Sequence, residues 1–197
     1  MILRACLSAL LPSLLAILLA VTTQRAMAAD EPPGLAGLRL QHLGIEQGLS
    51  QVTARAIAQD SEGMIWIGTQ DGLNRYDGEE FRVFRRDAAD PYSLVDNHVT
   101  TLYLDRSNRL WVGTQSGGLG WYDANAGRFR NYPVGLGRSD AVADVHVQAI
   151  GQAQDGRVWI ASGRGHLQRL DQAALRFEDL PLPGEVQARS LLALPGG

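Results

Sequence analysis

A tryptophan-centred pattern occurs three times in the 197-residue sequence and constrains the fold more than any other feature. Trp66, Trp111 and Trp159 recur at nearly equal intervals, and each lies in an apolar run that a glycine-containing turn follows. Further positions repeat in register: Ile57, Leu102 and Ile150 before the tryptophans, and Asp77, Asp123 and Asp171 after them. A near-constant period of about 45 residues is typical of repeat proteins, in which each copy buries its apolar faces against its neighbours.

Each copy is predicted to contain four short strands. In the first copy the predicted strands are residues 54–59, 64–69, 73–76 and 81–84. The gaps between them contain Gly with Asp or Ser, which are typical tight-turn residues, and no helical periodicity interrupts the pattern. The second strand is apolar along nearly its whole length, as expected for a sheet that is covered on both faces. Four-stranded antiparallel units with this period predict an all-β fold built of β-propeller blades.

The predicted propeller extends from residue 38 to residue 197. Its expected parts are blades at about 52–87, 97–133 and 145–182 and the first strand of a fourth at 186–197. Gly197 aligns with Gly63, Asn108 and Gly156, each of which lies three residues before a tryptophan. Residues 38–43 fit a strand that completes the last blade of a ring. Because propellers close with about four to eight blades, we expect a partial propeller, truncated after three blades, or a short chain that completes its ring by oligomerising.

The N-terminal segment 1–28 is predicted to be a secretory signal peptide. Arg4 supplies a positive charge, residues 7–21 are mostly apolar, and an Ala-Met-Ala signal predicts cleavage between Ala28 and Ala29. The apolar run is shorter than the roughly 20 residues of a membrane-spanning helix, so an uncleaved anchor is the lesser alternative. Residues 29–37 are then a linker, and the mature chain is expected to be exported.

Composition excludes several classes of function. The sequence has 18 basic and 21 acidic residues and a formal charge of −3, unlike a strongly basic nucleic-acid-binding protein. All the basic residues are arginine, so no chemistry that requires lysine is available. The single cysteine, Cys6, allows neither a disulfide framework nor a thiolate metal cluster within the chain. We predict no cofactor and no metal.

The repeats resemble the two-component regulator propeller repeats of bacterial signalling receptors. The matching segments are EQGLSQ at 46–51 and the sequences at 57–87, 90–99 and 110–129. One motif recurs in the first two copies: Trp, then Ile or Val, then Gly-Thr, followed by a glycine turn and Tyr-Asp. The third copy departs from the pattern, with Ala161-Ser162 in place of Gly-Thr and Leu170 in place of Tyr.

The resemblance implies a periplasmic sensor region of a receptor in the inner membrane. Such receptors usually continue into a β-sandwich, a transmembrane helix and a histidine kinase or diguanylate cyclase, and the parent is expected to be membrane-anchored and dimeric. The implied partner is a small-molecule ligand of the carbohydrate class, with no nucleic acid. No kinase or cyclase motif occurs in these residues, so the chain is expected to be non-catalytic. A protein-binding scaffold and a lyase-type or hydrolase-type propeller enzyme are the alternatives.

Four residues near the starts of first strands are candidates for ligand binding. His98 and His146 occupy equivalent positions, at the same distance before their tryptophans, where the first copy has Thr53. They either face the mouth of a central channel or simply begin their strands through hydrogen bonds. Arg55 and Gln148 lie two residues further along. An arginine there can bind a carboxylate or a pair of hydroxyl groups in a bidentate manner.

The repeated Trp and Asp positions are expected to be structural. The tryptophans lie in apolar runs and should pack between blades instead of stacking on a sugar. Asp77, Asp123 and Asp171 should accept hydrogen bonds from turn N–H groups and fix the following hairpin. Trp121 stands where the other copies have Arg75 and Arg169 and is a candidate for surface exposure.

Overall fold

The computed structural model describes residues 41–180, 182 and 188–192. Within these residues the chain forms twelve β-strands and one 3-10 turn, Ile45–Gln47. The strands are β1 (Ala56–Gln59), β2 (Ile65–Thr69), β3 (Gly72–Tyr76), β4 (Phe81–Phe84), β5 (Val99–Leu104), β6 (Leu110–Thr114), β7 (Leu119–Asp123), β8 (Arg128–Asn131), β9 (Val147–Gln152), β10 (Val158–Ser162), β11 (Leu167–Asp171) and β12 (Arg176–Leu180). Several predicted parts lie outside the described residues: the signal peptide with its Ala28–Ala29 cleavage site, the linker, residues 38–40, and residues 186–187 and 193–197 of the predicted fourth blade.

The strands form three antiparallel sheets of four consecutive strands each, in the orders β1-β2-β3-β4, β5-β6-β7-β8 and β9-β10-β11-β12. We call these sheets blade 1, blade 2 and blade 3. The first strand of blade 2 packs against the first strands of both neighbours, so β1, β5 and β9 line the inner side of the array. The prediction of an all-β, blade-based architecture is therefore confirmed.

The turn between the first two strands of each blade requires a left-handed backbone. Gly63, Asn108 and Gly156 occupy this position with φ of 86°, 58° and 84°. Glycine adopts positive φ without strain, and asparagine tolerates it better than most residues. This requirement explains why only these two residue types occupy the third position before the tryptophan.

Two hydrophobic clusters fill the spaces between the blades. The first includes Trp66 and Leu73 of blade 1 with Val112 and Tyr122 of blade 2. The second lies between blades 2 and 3, and its members include Trp111, Leu119, Ile150, Ile160 and Phe177. The ring of Trp66 lies 5.0 Å from that of Tyr122, centroid to centroid. In blades 1 and 2 the repeated tryptophan thus lies on the face that meets the following blade.

Neighbouring blades approach closely at the glycine of the Trp-[Ile/Val]-Gly-Thr motif. A Cβ atom on Gly68 would lie 2.5 Å from Cγ1 of Val99, and one on Gly113 would lie 2.7 Å from Cγ1 of Val147. Both valines begin the first strand of the next blade, so glycine is required because a methyl group would overlap the valine. Ala161 stands at this position in blade 3 and is fully buried.

The hydroxyl residue that follows closes the next hairpin in every blade. The hydroxyl donates to a carbonyl on the far side of the hairpin; the pairs are Thr69 with Gly72, Thr114 with Gly118 and Ser162 with His166. Ser162 therefore keeps the interaction although the third copy has lost the Gly-Thr sequence.

The face of blade 1 that points away from blade 2 has an exposed apolar edge. Ile57 keeps 66% of its surface exposed. Residues just before blade 1 fasten to this side of the sheet, where the backbone N–H of Ser50 donates to Oδ1 of Asn74 over 2.9 Å. No helix in the described ranges is both long and apolar enough to cross a membrane.

Candidate functional site

The first strands of blades 2 and 3 are interrupted at equivalent positions by a β-bulge. The pairing of β5 with β6 skips Thr100, and the pairing of β9 with β10 skips Gln148. In blade 1 the equivalent residue is Arg55, which lies just before β1 and donates its N–H to the carbonyl of Gly68 over 2.8 Å. Bulges redirect side chains and are frequent next to functional sites. Two candidates from the sequence, Arg55 and Gln148, thus occupy one repeated position that Thr100 completes.

The two candidate histidines lie immediately before β5 and β9. The carbonyl of His98 accepts a hydrogen bond from the N–H of Gln115, and that of His146 accepts one from Gly163, both over 2.9 Å. The His146 ring lies so close to Gly163 that a Cβ there would overlap it. The histidine backbones therefore anchor the following hairpin of the same blade, and their rings lie at the same end of the first strands as the bulge residues.

Three buried polar atoms at this end of the blades have no hydrogen-bond partner among the described residues: Nε2 of His98, Oδ2 of Asp144 and Oε1 of Gln148. Asp144 is 6% exposed, and Nε of the exposed Arg164 approaches its Oδ2 to 3.4 Å. Buried polar atoms normally have partners. Oδ2 of Asp144 has this ion pair, so Nε2 of His98 and Oε1 of Gln148 are the two atoms that require an explanation. Asp144 was not among the sequence candidates, although it stands at the same distance before its tryptophan as Asp96 does in the second copy.

Contacts join the start of blade 2 to the start of blade 3, and Arg55 stands at the equivalent position of the adjacent blade 1. The hydroxyl of Thr100 donates to the carbonyl of Val147, which joins the start of β5 to the start of β9. Gln148 follows directly on Val147, and the N–H of His146 donates to Oδ1 of Asp144 over 3.3 Å. We call the group Arg55, His98, Thr100, Asp144, His146 and Gln148 the inner-strand mouth.

The inner-strand mouth offers hydrogen-bonding groups of both kinds, donors and acceptors. In the part of the chain that the structure describes, no group of three or more His, Cys, Asp or Glu side chains lies close enough to hold a metal ion. The carbonyl oxygen of Gln148 and the carboxylate of Asp144 accept hydrogen bonds, and the guanidinium of Arg55 donates them. Such a set suits a ligand with hydroxyl groups.

An aspartate that holds the tryptophan is a feature that reasoning from the sequence missed. Oδ2 of Asp60 accepts from the indole N–H of Trp66 over 2.7 Å, and Asp105 accepts from Trp111 over 2.9 Å. Blade 3 has Ala153 at this position, and Nε1 of Trp159 is buried without a partner among the described residues. The signal was present in the sequence as an aspartate at a fixed spacing before the tryptophan in two of three copies.

An amide side chain, buried in blades 1 and 3 and partly buried in blade 2, fastens the segment that enters each blade, and in blade 2 it lies on a different strand. Asn74 of β3 bonds to Ser50, Asn131 of β8 donates to the carbonyl of Ser93, and Gln168 of β11 accepts from the N–H of Ala143. In blade 2 the amide has moved to the outer strand and Gly120 lies opposite it. Comparing the copies position by position does not detect that the amide has the same role in all three, because in blade 2 it lies on the neighbouring strand.

The three repeated aspartates lie at the turns after β3, β7 and β11. Asp77 accepts from the N–H groups of Glu79 and Glu80, Asp123 from Ala126, and Asp171 from Ala173 and Ala174. These backbone hydrogen bonds favour the charged carboxylate and hold the pKa of each aspartate below its ordinary value. All three carboxylates thus take part in hairpin turns.

Trp121 is half-buried and packs against the cluster between blades 2 and 3. In blades 1 and 3 the equivalent arginines lie over the repeated tryptophan, with Arg75 5.7 Å from Trp66 and Arg169 6.0 Å from Trp159. Arg109 and Arg130 lie over the Trp121 ring at 5.6 and 5.7 Å. Blade 2 thus retains cation–π contacts but supplies the cations from other positions.

Comparison with known proteins identifies the repeats. The two-component regulator propeller family matches residues 48–71 and 93–116, which belong to the first two copies. A histidine kinase P4 of Formosa agariphila is 45% identical over 47 residues, which are 24% of this chain and 3% of that protein. The first two copies therefore match the two-component regulator propeller repeat.

Solved structures with the same fold include extracellular domains of bacterial signalling proteins. One, assigned to a hybrid two-component system of B. thetaiotaomicron, is 28% identical with a TM-score of 0.68, and the match covers 74% of this chain and 21% of that chain. Virginiamycin B lyase of Staphylococcus aureus matches at 13% identity and a TM-score of 0.51, over 67% of this chain and 42% of that chain, and shares the fold alone. This chain thus spans about a fifth of the signalling domain that it matches.

Proposed function

We propose that this chain is a ligand-sensing propeller segment of a bacterial signal-transduction receptor, exported to the periplasm and without catalytic activity of its own. The observation that carries the proposal is the two-component regulator repeat in the first two blades, in a fold shared with the extracellular domain of a hybrid two-component system. The proposal retains a signal peptide at 1–28, a linker at 29–37 and the propeller from 38 onward. Kinase or cyclase output belongs to other parts of a membrane-anchored, dimeric parent receptor.

The proposed ligand is a small carbohydrate that binds at the inner-strand mouth. Its hydroxyl groups would donate to Oε1 of Gln148 and accept from Arg55, with His98 and His146 beside them. Gln148 and His98 are partly exposed residues, and their Oε1 and Nε2 atoms are buried without a hydrogen-bond partner among the described residues. Binding then satisfies polar groups that lack partners in the free protein, and this supplies a favourable contribution that a solvated surface does not offer.

Signalling by this mechanism is a shift of populations. A ligand that binds one arrangement of the blades better than another biases the receptor by the difference in affinity. The mouth is suited to this role because it joins β5 to β9 through the Thr100–Val147 hydrogen bond. A ligand that reaches Arg55, His98 and Gln148 contacts all three blades at once and therefore responds to their relative positions.

The test is a thermal-shift and mass-spectrometric screen of the full chain against neutral and acidic mono- and oligosaccharides. We expect at least one sugar to raise Tm without being chemically changed. Gln148→Leu should raise, by about tenfold, the sugar concentration needed for the same increase in Tm. The matched variant Gln172→Leu, at the opposite end of blade 3, should need the same concentration as the unmodified chain. Turnover of a sugar would instead support an enzyme, and the absence of any stabilising sugar would reject the proposed sensing role.

A further inference from the structure

The outer face of blade 3 is covered although no fourth sheet lies among the described strands. Pairing in the sheet places Trp159 beside Gly151 and Ala161 beside Ala149, which defines this face. Ala161 is fully buried and Ala149 is 5% exposed. Because the opposite face of the sheet packs against blade 2, some other part of the chain must cover these residues.

Leu191, in the described segment 188–192, lies against this face. The Cβ of Leu191 lies 3.2 Å from the position that a Cβ on Gly151 would occupy. The repeat aligns Gly197 with Gly156, and the same alignment places Leu191 opposite Ile150. Ile150 belongs to the cluster that joins blade 3 to blade 2. Leu191 thus occupies the place against blade 3 that Ile150 occupies against blade 2.

The same alignment predicts the residue that meets Ala161. Between blades 1 and 2 and between blades 2 and 3, a glycine on one blade faces a valine on the next, in the pairs Gly68–Val99 and Gly113–Val147. The residue equivalent to Val147 is Ala188. At the third interface Ala161 therefore replaces the glycine and Ala188 replaces the valine. The methyl group that Ala161 adds is offset by the two carbons that Ala188 lacks relative to valine.

We infer that the outer face of blade 3 is a docking surface for residues 188–192 as the inner strand of a further sheet, and that the Ala161–Ala188 pair encodes this match by size. A strand that begins with valine, as those of blades 2 and 3 do, is excluded because its side chain would overlap the Cβ of Ala161. The Ala–Ala pair thus distinguishes the third interface from the Gly–Val interfaces between blades 1 and 2 and between blades 2 and 3. The difference in side-chain size specifies which blade can follow which. This docking surface does not depend on the proposed ligand.

A second copy of the chain is the competing occupant. Ala54, the equivalent residue of blade 1, is exposed and also carries a small side chain. By size it fits the Ala161 surface of another molecule in a head-to-tail contact. The Leu191 contact with blade 3 favours the segment of the same chain over a second copy.

The test is a double-mutant cycle on the full chain, followed by thermal unfolding and light scattering. Ala188→Val should lower Tm by about 3–8 °C because the interface becomes overfilled. Ala161→Gly combined with Ala188→Val restores the Gly–Val pair of the other interfaces and should recover most of that loss. If the double variant does not recover stability, Ala161 and Ala188 are not matched in size and the inference is wrong.

Ala54→Val is the matched control at the other end of the array. It should leave Tm and oligomeric state unchanged, because no described blade packs on that side of blade 1. If Ala54→Val, and not Ala188→Val, lowers Tm or dissociates an oligomer, the occupant is a second copy and the inference is wrong. If both variants behave as the unmodified chain does, residues 188–192 do not form the interface.

Discussion

Blade 3 differs from blades 1 and 2 at the two positions that most define the repeat. The first two blades hold the tryptophan indole with an aspartate and meet the next blade through a glycine. Blade 3 has Ala153 and Ala161 instead. The backbone of Ala153 nevertheless makes the same two turn hydrogen bonds as that of Asp105: its N–H donates to the carbonyl four residues later, and its carbonyl accepts from the N–H three residues later. The difference shows that the hairpin geometry does not depend on the aspartate side chain, whereas satisfaction of the indole N–H does.

The largest effect is expected from removing the aspartate where it is most buried. The side chain of Asp105 is fully buried and accepts hydrogen bonds from Ser107, Arg109 and Trp111. Asp105→Ala leaves these donors unpaired and should lower the free energy of unfolding by about 3–5 kcal/mol. Urea unfolding followed by tryptophan fluorescence measures the change. Asp155→Ala, at an exposed turn of blade 3, is the control, and equal losses in both variants would contradict the explanation.

The next effect tests the close approach of the blades. Gly68→Ala places a methyl group against Val99 and should cost about 1–3 kcal/mol of unfolding free energy. Val99→Ala in the same chain removes the nearest obstacle, so the double variant should be more stable than the sum of the two single changes predicts. Additive losses in denaturant unfolding would show that Gly68 is required for another reason.

A smaller, stabilising effect is expected from converting blade 3 towards the other two. Ala153→Asp supplies an acceptor for the unpartnered indole N–H of Trp159. Because the backbone at this turn already has the required geometry, we expect a gain of about 0.5–1.5 kcal/mol in unfolding free energy. Ala173→Asp, in an exposed turn, is the control and should be neutral. A loss of stability in Ala153→Asp would mean that the indole has a different environment from those in blades 1 and 2.

The smallest effect concerns the turn aspartates, which all three blades share. The pKa values of Asp77, Asp123 and Asp171 lie below the ordinary 3.8. A carboxyl group whose pKa is lower in the folded state stabilises the fold above its unfolded pKa, and this contribution is lost as the pH falls through the folded value. Asp171→Asn should therefore reduce Tm slightly at neutral pH and flatten its decline below about pH 4. An unchanged pH profile would indicate that the turn hydrogen bonds do not depend on charge.

Local sequence predicted the strands well because each one is short and bounded by its own turn residues. In the first copy the predicted strand at 81–84 agrees with β4 (Phe81–Phe84), and that at 64–69 exceeds β2 (Ile65–Thr69) by one residue. The candidate site was less accessible to this reasoning. Asp144, His146 and Gln148 are neighbours in one segment at the start of β9, and the N–H of His146 donates to Asp144 locally. Their proximity to the start of β5 depends on the packing of blade 2 against blade 3, which the Thr100–Val147 hydrogen bond shows. The repeat also suggested that residue type follows position, which fails where an amide moves from β3 to β8.

The sequence by itself determined the number of sheets, their strand order and the tryptophan positions, because hydrophobic period and turn residues act over a few neighbouring residues. Only the tertiary structure decided which glycine meets which valine, which polar atoms remain without partners, and that Leu191 covers blade 3. These properties depend on contacts between residues of different repeats, where side-chain size and hydrogen-bonding capacity are tested against another blade and not against the local chain.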